Sequence, residues 1–424
     1  MANNGKKKSN SSSKYQKKAI KQVTKAAKKN PKGFIIAVII IALVVGIGLA
    51  VYFLFIKDKV SPQGSSSSQE PSSSQVLPSS SSHEHADYNP KLETPDGISI
   101  NFLELGSWYT GDSTYIKAGD VDILIDAGSE QSSAGTIKEF VNKYCEDGKL
   151  EYVIATHAHK DHIAGFVGTN DVPGIFDSYK IDTLIDFSQT DQSTTTAKGA
   201  DTLYGKYVKK INSNLESGNM LHHYTALQCV EEKDGAKKEY TITDSVKMTI
   251  LDQKFYHPEN KASTENNYSV CTLFTHKNNN HYLFTGDLES IGETSLVELN
   301  ELPHCQLYKA GHHGSDTSSK DTLLNKITPE VICICCCAGS SEYTKTPNNQ
   351  FPYQETINRF AKHTEKVYVT TVSTNNDEKK YTSMNGNICF KSENGKDYTV
   401  AGSNNSVILK DTEWFKTNRT WPTA

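Results

Sequence analysis

The stretch Thr156-His157-Ala158-His159-Lys160-Asp161-His162 constrains this chain more than any other. It sets three imidazoles and a carboxylate directly after the apolar run Tyr152-Val153-Ile154-Ala155. That run reads as a buried strand, and Ile163-Ala164-Gly165-Phe166 beyond the cluster reads as the start of a helix. The polar residues therefore sit on a strand-to-helix turn. In extended backbone, residues two apart point the same way. His157 and His159 can thus reach one metal ion, while Asp161 and His162, past the bend, can reach a second. Neutral imidazole and carboxylate suit Zn(II), Mn(II) or Fe(II). A His-rich surface loop is the plainer reading, and four such groups behind a buried strand weigh against it.

The N-terminal part reads as an anchor. Phe34 to Ile56 is 23 residues without a charge, long enough at ~1.5 Å per residue to span a ~30 Å hydrocarbon core. Eleven Lys and no acid precede it, and Lys57, Asp58 and Lys59 follow. The positive-inside rule then predicts a basic cytoplasmic segment over 1–33, a single transmembrane helix over 34–56 and the rest of the chain outside the cell. Phe53-Leu54-Phe55-Ile56 offers no small-residue cleavage site, so an uncleaved anchor is expected rather than a signal peptide. The segment 57–92 is Ser-rich and poor in large apolar residues, and it reads as a disordered linker. Charge divides the chain the same way. Residues 1–59 carry 13 Lys and one Asp, a net +12, and the remainder holds 32 basic against 48 acidic residues, a net −16. An acidic ectodomain does not draw polyanions through its overall field, which argues against an avid non-specific nucleic-acid binder. A local cation site can still invert that sign.

Residues 93–424 are long enough for a full core and read as one domain. Strands are expected over 99–105, 114–117, 121–126, 152–155, 181–187, 247–251, 268–275, 331–337 and 367–371, and helices over 134–145, 198–215 and 355–363. Cys333, Cys335, Cys336 and Cys337 fall in one strand-like run, where neighbours face opposite ways and cannot together clasp one metal, so core packing is expected of them. Nine Cys is an odd number, and no disulfide pairing can be read from it.

Two further stretches accompany the first: Tyr282-Leu283-Phe284-Thr285-Gly286-Asp287 and Lys309-Ala310-Gly311-His312-His313-Gly314-Ser315. With Leu124-Ile125-Asp126-Ala127-Gly128 and Asn266-Asn267-Tyr268-Ser269-Val270, they make the chain resemble the metallo-β-lactamase superfamily over about Ile98 to Tyr398. The paired His is similar to that of the ComEC-type branch, the hydrolase domain attached to DNA-uptake channels. The resemblance implies an α/β fold, the four-layer αββα sandwich. It also implies two divalent metal ions, zinc before manganese. His157 and His159 would belong to the first metal, Asp161 and His162 to the second, and Asp287 would bridge them. Similarity to phosphocholine esterases of the superfamily assigns His313 to the second metal. His312 then stands beside the substrate, or else steadies His313 from behind. Asp161 and His312 are the expected catalytic pair.

The usual third His of the first metal has no motif here. His257 stands where the family places that ligand, and Asn266 or Asn267 is the alternative lining. Asp126, by the same resemblance, orients a ligand imidazole through its ring N–H. Gly314-Ser315-Asp316-Thr317-Ser318-Ser319 reads as a helix start with Ser315 or Asp316 as cap, whose amides could hold an anionic oxygen. The branch carries a His near the stretch before the late helix, and Asn348-Asn349-Gln350-Phe351-Pro352-Tyr353 has none. The expected function is a membrane-anchored, extracytoplasmic phosphoester hydrolase working through metal-activated water. Nucleic acid enters only as a substrate, beside cell-wall phosphodiesters. Lactamase or lactonase chemistry, or a non-catalytic binding module on the same fold, is the alternative.

Overall fold

The computed structural model describes residues 87–277 and 280–423. The basic arm, the apolar segment 34–56 and the linker up to residue 86 lie outside the described residues. Among the described residues, no helix is long and apolar enough to cross a membrane.

Two eight-stranded sheets carry the fold. The first receives β1 (Ile98–Phe102), β2 (Thr114–Ala118), β3 (Val121–Ile125), β4 (Lys149–Ile154), β5 (Lys180–Asp186) and β6 (Met220–Thr225). The chain then builds the second sheet from β7 (Glu239–Thr241), β8 (Val246–Leu251), β9 (Cys271–His276), β10 (Asn280–Phe284), β11 (Leu307–Lys309), β12 (Val331–Ala338), β13 (Val367–Asn375) and β14 (Lys380–Ser383). It returns to the first sheet with β15 (Ile388–Ser392) and β16 (Thr399–Gly402), which pair beside β1. Strands β3 to β6 run parallel to one another, as do β10 to β13, and the outer pairs are antiparallel. Parallel stretches need cover on both faces, and their strands read as continuous apolar runs. β12 does so: all eight of its residues are buried.

The sheets pack face to face through Phe102 on Phe284, 6.1 Å between ring centroids, and Tyr282 on Phe390, 5.1 Å. Outside the first sheet lie α1 (Ser133–Val141), α2 (Lys160–Val167), α3 (Ile175–Ser178), α4 (Leu203–Ser217) and α5 (Ala226–Glu231). Their buried side chains, among them Ile137, Phe166, Phe176 and Tyr207, join the main core. Outside the second sheet lie α6 (Ser290–Leu299), α7 (Asp321–Ile327), α8 (Gln354–Phe360) and α9 (Glu413–Asn418), which close a second core around Leu296, Leu324, Ile357 and Phe415. This is the expected αββα sandwich. All nine Cys are buried and unbonded, with Cys333 and Cys335 facing one core and Cys336 the other.

A candidate metal centre at the strand ends

The site forms where parallel strands of both sheets end, the place where open α/β sheets present ligand-binding crevices. β4 ends at Ile154, and α2 begins with Asp161 in its first turn. The neighbouring strand β3 runs into Asp126-Ala127-Gly128. There the Ala127 N–H donates to His162 O at 2.7 Å, and the Asp112 N–H donates to Asp161 O at 3.0 Å. A Cβ on Gly128 would collide with the Asp161 backbone carbonyl, so only glycine lets the two turns close on each other. Asp126 braces the turn twice. Its Oδ1 accepts from the Thr156 N–H at 2.7 Å, and its Oδ2 lies 2.7 Å from His162 Nδ1. That contact turns His162 Nε2 into the site, as a carboxylate behind a ligand imidazole does.

β10 delivers Asp287 and β11 delivers His312 and His313 from the second sheet. Asp287 Oδ2 is the point of convergence. It lies 3.2 Å from His162 Nε2, 3.3 Å from His313 Nε2, 3.9 Å from His312 Nε2 and 4.0 Å from His157 Nε2. Asp161 Oδ2 is 3.4 Å from His313 Nε2, and His159 Nδ1 is 3.0 Å from His157 Nε2. Six of the expected ligands, His157, His159, Asp161, His162, Asp287 and His313, are thus brought together from three segments. His312 stands at their edge with its Nδ1 2.7 Å from Thr317 Oγ1. His312 and His313 both take left-handed backbone, φ 46° and 54°, and Asp126 does too, φ 59°. Non-glycine residues held in that region cluster at functional sites.

The donor set fits divalent cations. His162 Nε2, His313 Nε2 and Asp287 Oδ1 are buried without a hydrogen-bond partner, which a finished protein interior seldom tolerates. Asp112, His162, Asp287 and His313 offer ligand atoms all within 4.8 Å of one another. Charges are balanced accordingly. Burial alone would lower the His162 and His313 pKa values, yet Asp287 with Asp126 beside the first, and Asp287 with Asp112 beside the second, hold both well above the usual imidazole range. Burial would raise the Asp287 carboxyl, and His162, His313 and His312 outweigh it and hold it far below. His157 and His312 are pushed down, chiefly by burial, and stay neutral.

Several residues the sequence reading passed over complete the site. Asp112, in the loop before β2, sets Oδ1 3.3 Å from His313 Nδ1, which also lies 2.9 Å from the Cys335 carbonyl oxygen. Lys309, the last residue of β11, buries its ammonium against Asp112 and 3.9 Å from Asp287 Oδ1. Ser269 Oγ accepts from the Asp287 N–H at 3.1 Å and lies 3.4 Å from His157 Nδ1. Tyr343 Oη donates to Asp161 Oδ2 at 2.6 Å. Lys309 and Ser269 lay inside stretches already singled out; Asp112 and Tyr343 had no local signal.

Three expected placements are corrected. His257 does not join the cluster: Asp252, five residues back, takes its ring, with Nε2 3.1 Å from Oδ1. Asn267 does not line the site either. Its Oδ1 accepts from the Glu289 N–H, while the Asn266 amide donates to Glu289 Oε1 at 3.0 Å. The two amides hold Glu289, whose Oε1 is 3.9 Å from His312 Nδ1. Ser315 caps no helix. α7 starts only at Asp321, and Ser315 Oγ instead accepts from the Thr317 N–H. The amides of Ser319 and Lys320 are occupied by the buried Glu293 carboxylate, at 2.5 and 2.9 Å, and offer nothing to an anion.

Parts of the chain are similar to known proteins. The family profile described as Metallo-beta-lactamase superfamily matches residues 106–168, the segment from the loop before β2 to the end of α2. Competence protein ComA of Neisseria gonorrhoeae is 22% identical over 285 residues, 66% of this chain and 32% of that protein. ComE operon protein 3 of Bacillus subtilis is 25% identical over 146 residues, 34% of this chain and 18% of the relative. The chain therefore spans a third or less of the length of these curated relatives. Among solved structures, the metallo-beta-lactamase fold protein YhfI of Bacillus subtilis aligns over 65% of this chain and 96% of its own, at 9% identity and a TM-score of 0.36. The chain is thus similar to the metallo-beta-lactamase superfamily over residues 106–168, and to competence proteins of the ComA and ComE operon protein 3 kind over up to 66% of its length.

Proposed function

We propose that this protein is a metal-dependent phosphoester hydrolase, anchored by its N-terminal segment and working on the outer side of the membrane. One observation carries the reading: four imidazole Nε2 atoms lie within 4.0 Å of the single oxygen Asp287 Oδ2, with Asp161 Oδ2 beside them. His157, His159 and Asp287 would hold one cation, and Asp161, His162, His313 and Asp287 a second. Two such ions, when bound, supply hydroxide from water near neutral pH and offset charge on a phosphoryl group. The chain's own residues do the rest. Asp126, Asp112 and the Cys335 carbonyl fix the imidazoles so that Nε2 faces inward. His312, neutral and turned by Thr317, presents Nε2 where a phosphoryl or leaving oxygen would stand. The charge-free run Phe34–Ile56 with its Lys-rich flank supports the anchored, extracytoplasmic placement. Relatives named for competence keep nucleic acid among the phosphodiesters considered, as substrate alone.

The test is metal analysis of the full-length protein in detergent, with turnover of bis-p-nitrophenyl phosphate and of nitrocefin. Two metals per chain with phosphodiester turnover, abolished in Asp161→Ala, is the expected result. Nitrocefin turnover alone would move the reading to lactam chemistry, and neither metal nor turnover to a binding module.

A further inference from the structure

The site wall facing solvent carries one residue whose position the metal-holding set does not explain. Tyr343 is 55% exposed, the setting of an ordinary surface tyrosine, yet its hydroxyl is turned inward onto Asp161 Oδ2 at 2.6 Å. Its ring stands 5.4 Å from Phe351, whose own ring lies 5.8 Å from His312 and 5.9 Å from His313. The loop that bears it is tied down just ahead of it. The Gly339 N–H donates to Phe351 O at 2.8 Å, and Glu342 Oε2 accepts from the Thr110 N–H at 2.8 Å. The backbone ahead of Tyr343 is therefore tied down, and the hydroxyl is held on Asp161, beside the Asp161–His313 pair.

We propose that Tyr343 is a catalytic residue, its hydroxyl donating a hydrogen bond to a non-bridging phosphoryl oxygen of the bound substrate; this rests on the reading of the site as one for phosphoryl groups. Asp161 Oδ2 is one of the atoms that would hold a cation, and a carboxylate oxygen so engaged is a poorer acceptor. A charged phosphoryl oxygen arriving at the same mouth is the stronger one, and hydrogen bonds to charged oxygens are about twice as strong as neutral ones. A rotation about the Cζ–Oη bond with a small ring tilt suffices, because the oxygen already lies at the mouth. No proton need leave the phenol.

The test uses the full-length protein in detergent, loaded with manganese, and reads the binding of inorganic phosphate by calorimetry beside bound metal by elemental analysis. In Tyr343→Phe, which keeps the ring against Phe351, phosphate binding should weaken roughly tenfold or more at unchanged metal content. Turnover of bis-p-nitrophenyl phosphate should fall in kcat. Phosphate affinity within twofold of wild type overturns the proposal. So does a loss of metal whose replenishment restores phosphate affinity, since Tyr343 would then only steady Asp161. Absence of phosphate binding by the loaded wild type overturns it as well. Tyr343-dependent phosphate binding in a protein that hydrolyses no phosphodiester would instead uphold the hydrogen bond to the phosphoryl oxygen and overturn the catalytic role together with the hydrolase reading.

Discussion

Replacing Lys309 by Met would remove one charge from the interior while nearly conserving volume. Lys309 and Asp112 are both 3% exposed, and Asp287, the next acid, is 1% exposed. Deleting one partner of a buried pair strands the other charge, at a cost of about 3–5 kcal/mol. For a domain of this size that lowers the melting temperature by roughly 4–7 °C. The cost should depend on pH with a definite sign. Burial raises the Asp112 carboxyl, and Lys309, then His313 and His162, outweigh it and hold its pKa below the usual range. In the wild type its contribution is therefore present above the unfolded value of about 3.9 and lost as pH falls through the lower folded value. Without Lys309, burial should prevail and reverse the direction, so that stability is lost as pH rises. The deficit of Lys309→Met should be larger at pH 8 than at pH 5. Thermal and urea melts of chelator-treated protein measure it, and the double variant with Asp112→Asn should recover more than about 1 kcal/mol. A single variant within about 1 kcal/mol of wild type at pH 8, or a double variant merely summing two losses, would refute the argument.

Three further outcomes are expected. His162 and His313 are held protonated by Asp287 and its neighbours when no cation is bound, so metal uptake must release protons. Metal retained after equilibrium dialysis should fall steadily from pH 8 to pH 5, with proton release visible in weakly buffered calorimetry. Asp126→Asn should cut metal affinity roughly 10- to 100-fold while the far-ultraviolet dichroism stays unchanged, because Asp126 sets the ring of His162. His257→Ala should leave bound metal per chain unaltered, since Asp252 rather than the site holds that ring.

The parts of the molecule legible in the sequence are those where local pattern and tertiary role coincide. β4 and its turn were readable because an apolar run ends in closely spaced ligands, and β12 because a strand buried on both faces is apolar throughout. The edge strand β6 escaped notice: Met220–Thr225 includes two His and is largely accessible, so it shows no burial pattern. α4 was expected from Lys198 but starts at Leu203, where Thr202 Oγ1 accepts from the Gly205 N–H at 3.0 Å, a cap whose signal was present and unused. Asp112 and Lys309 are nearly two hundred positions apart in the chain, and only the closure of one sheet on the other makes them a pair. His257 failed for the opposite reason: its place in the chain was right for a ligand, and a carboxylate five residues away claimed it first.

The left-handed backbone at Asp126, His312 and His313 has a bearing on how this protein would respond to selection. Each position would be more relaxed as glycine, by about 1 kcal/mol or more. At Asp126 the two contacts it makes outweigh that relief, but a library screened only for heat resistance should enrich glycine at His312 and His313, and its winners would have traded away two imidazoles. Thermal tolerance and chemistry are set against each other at the same codons, so engineering of one must be counter-screened for the other.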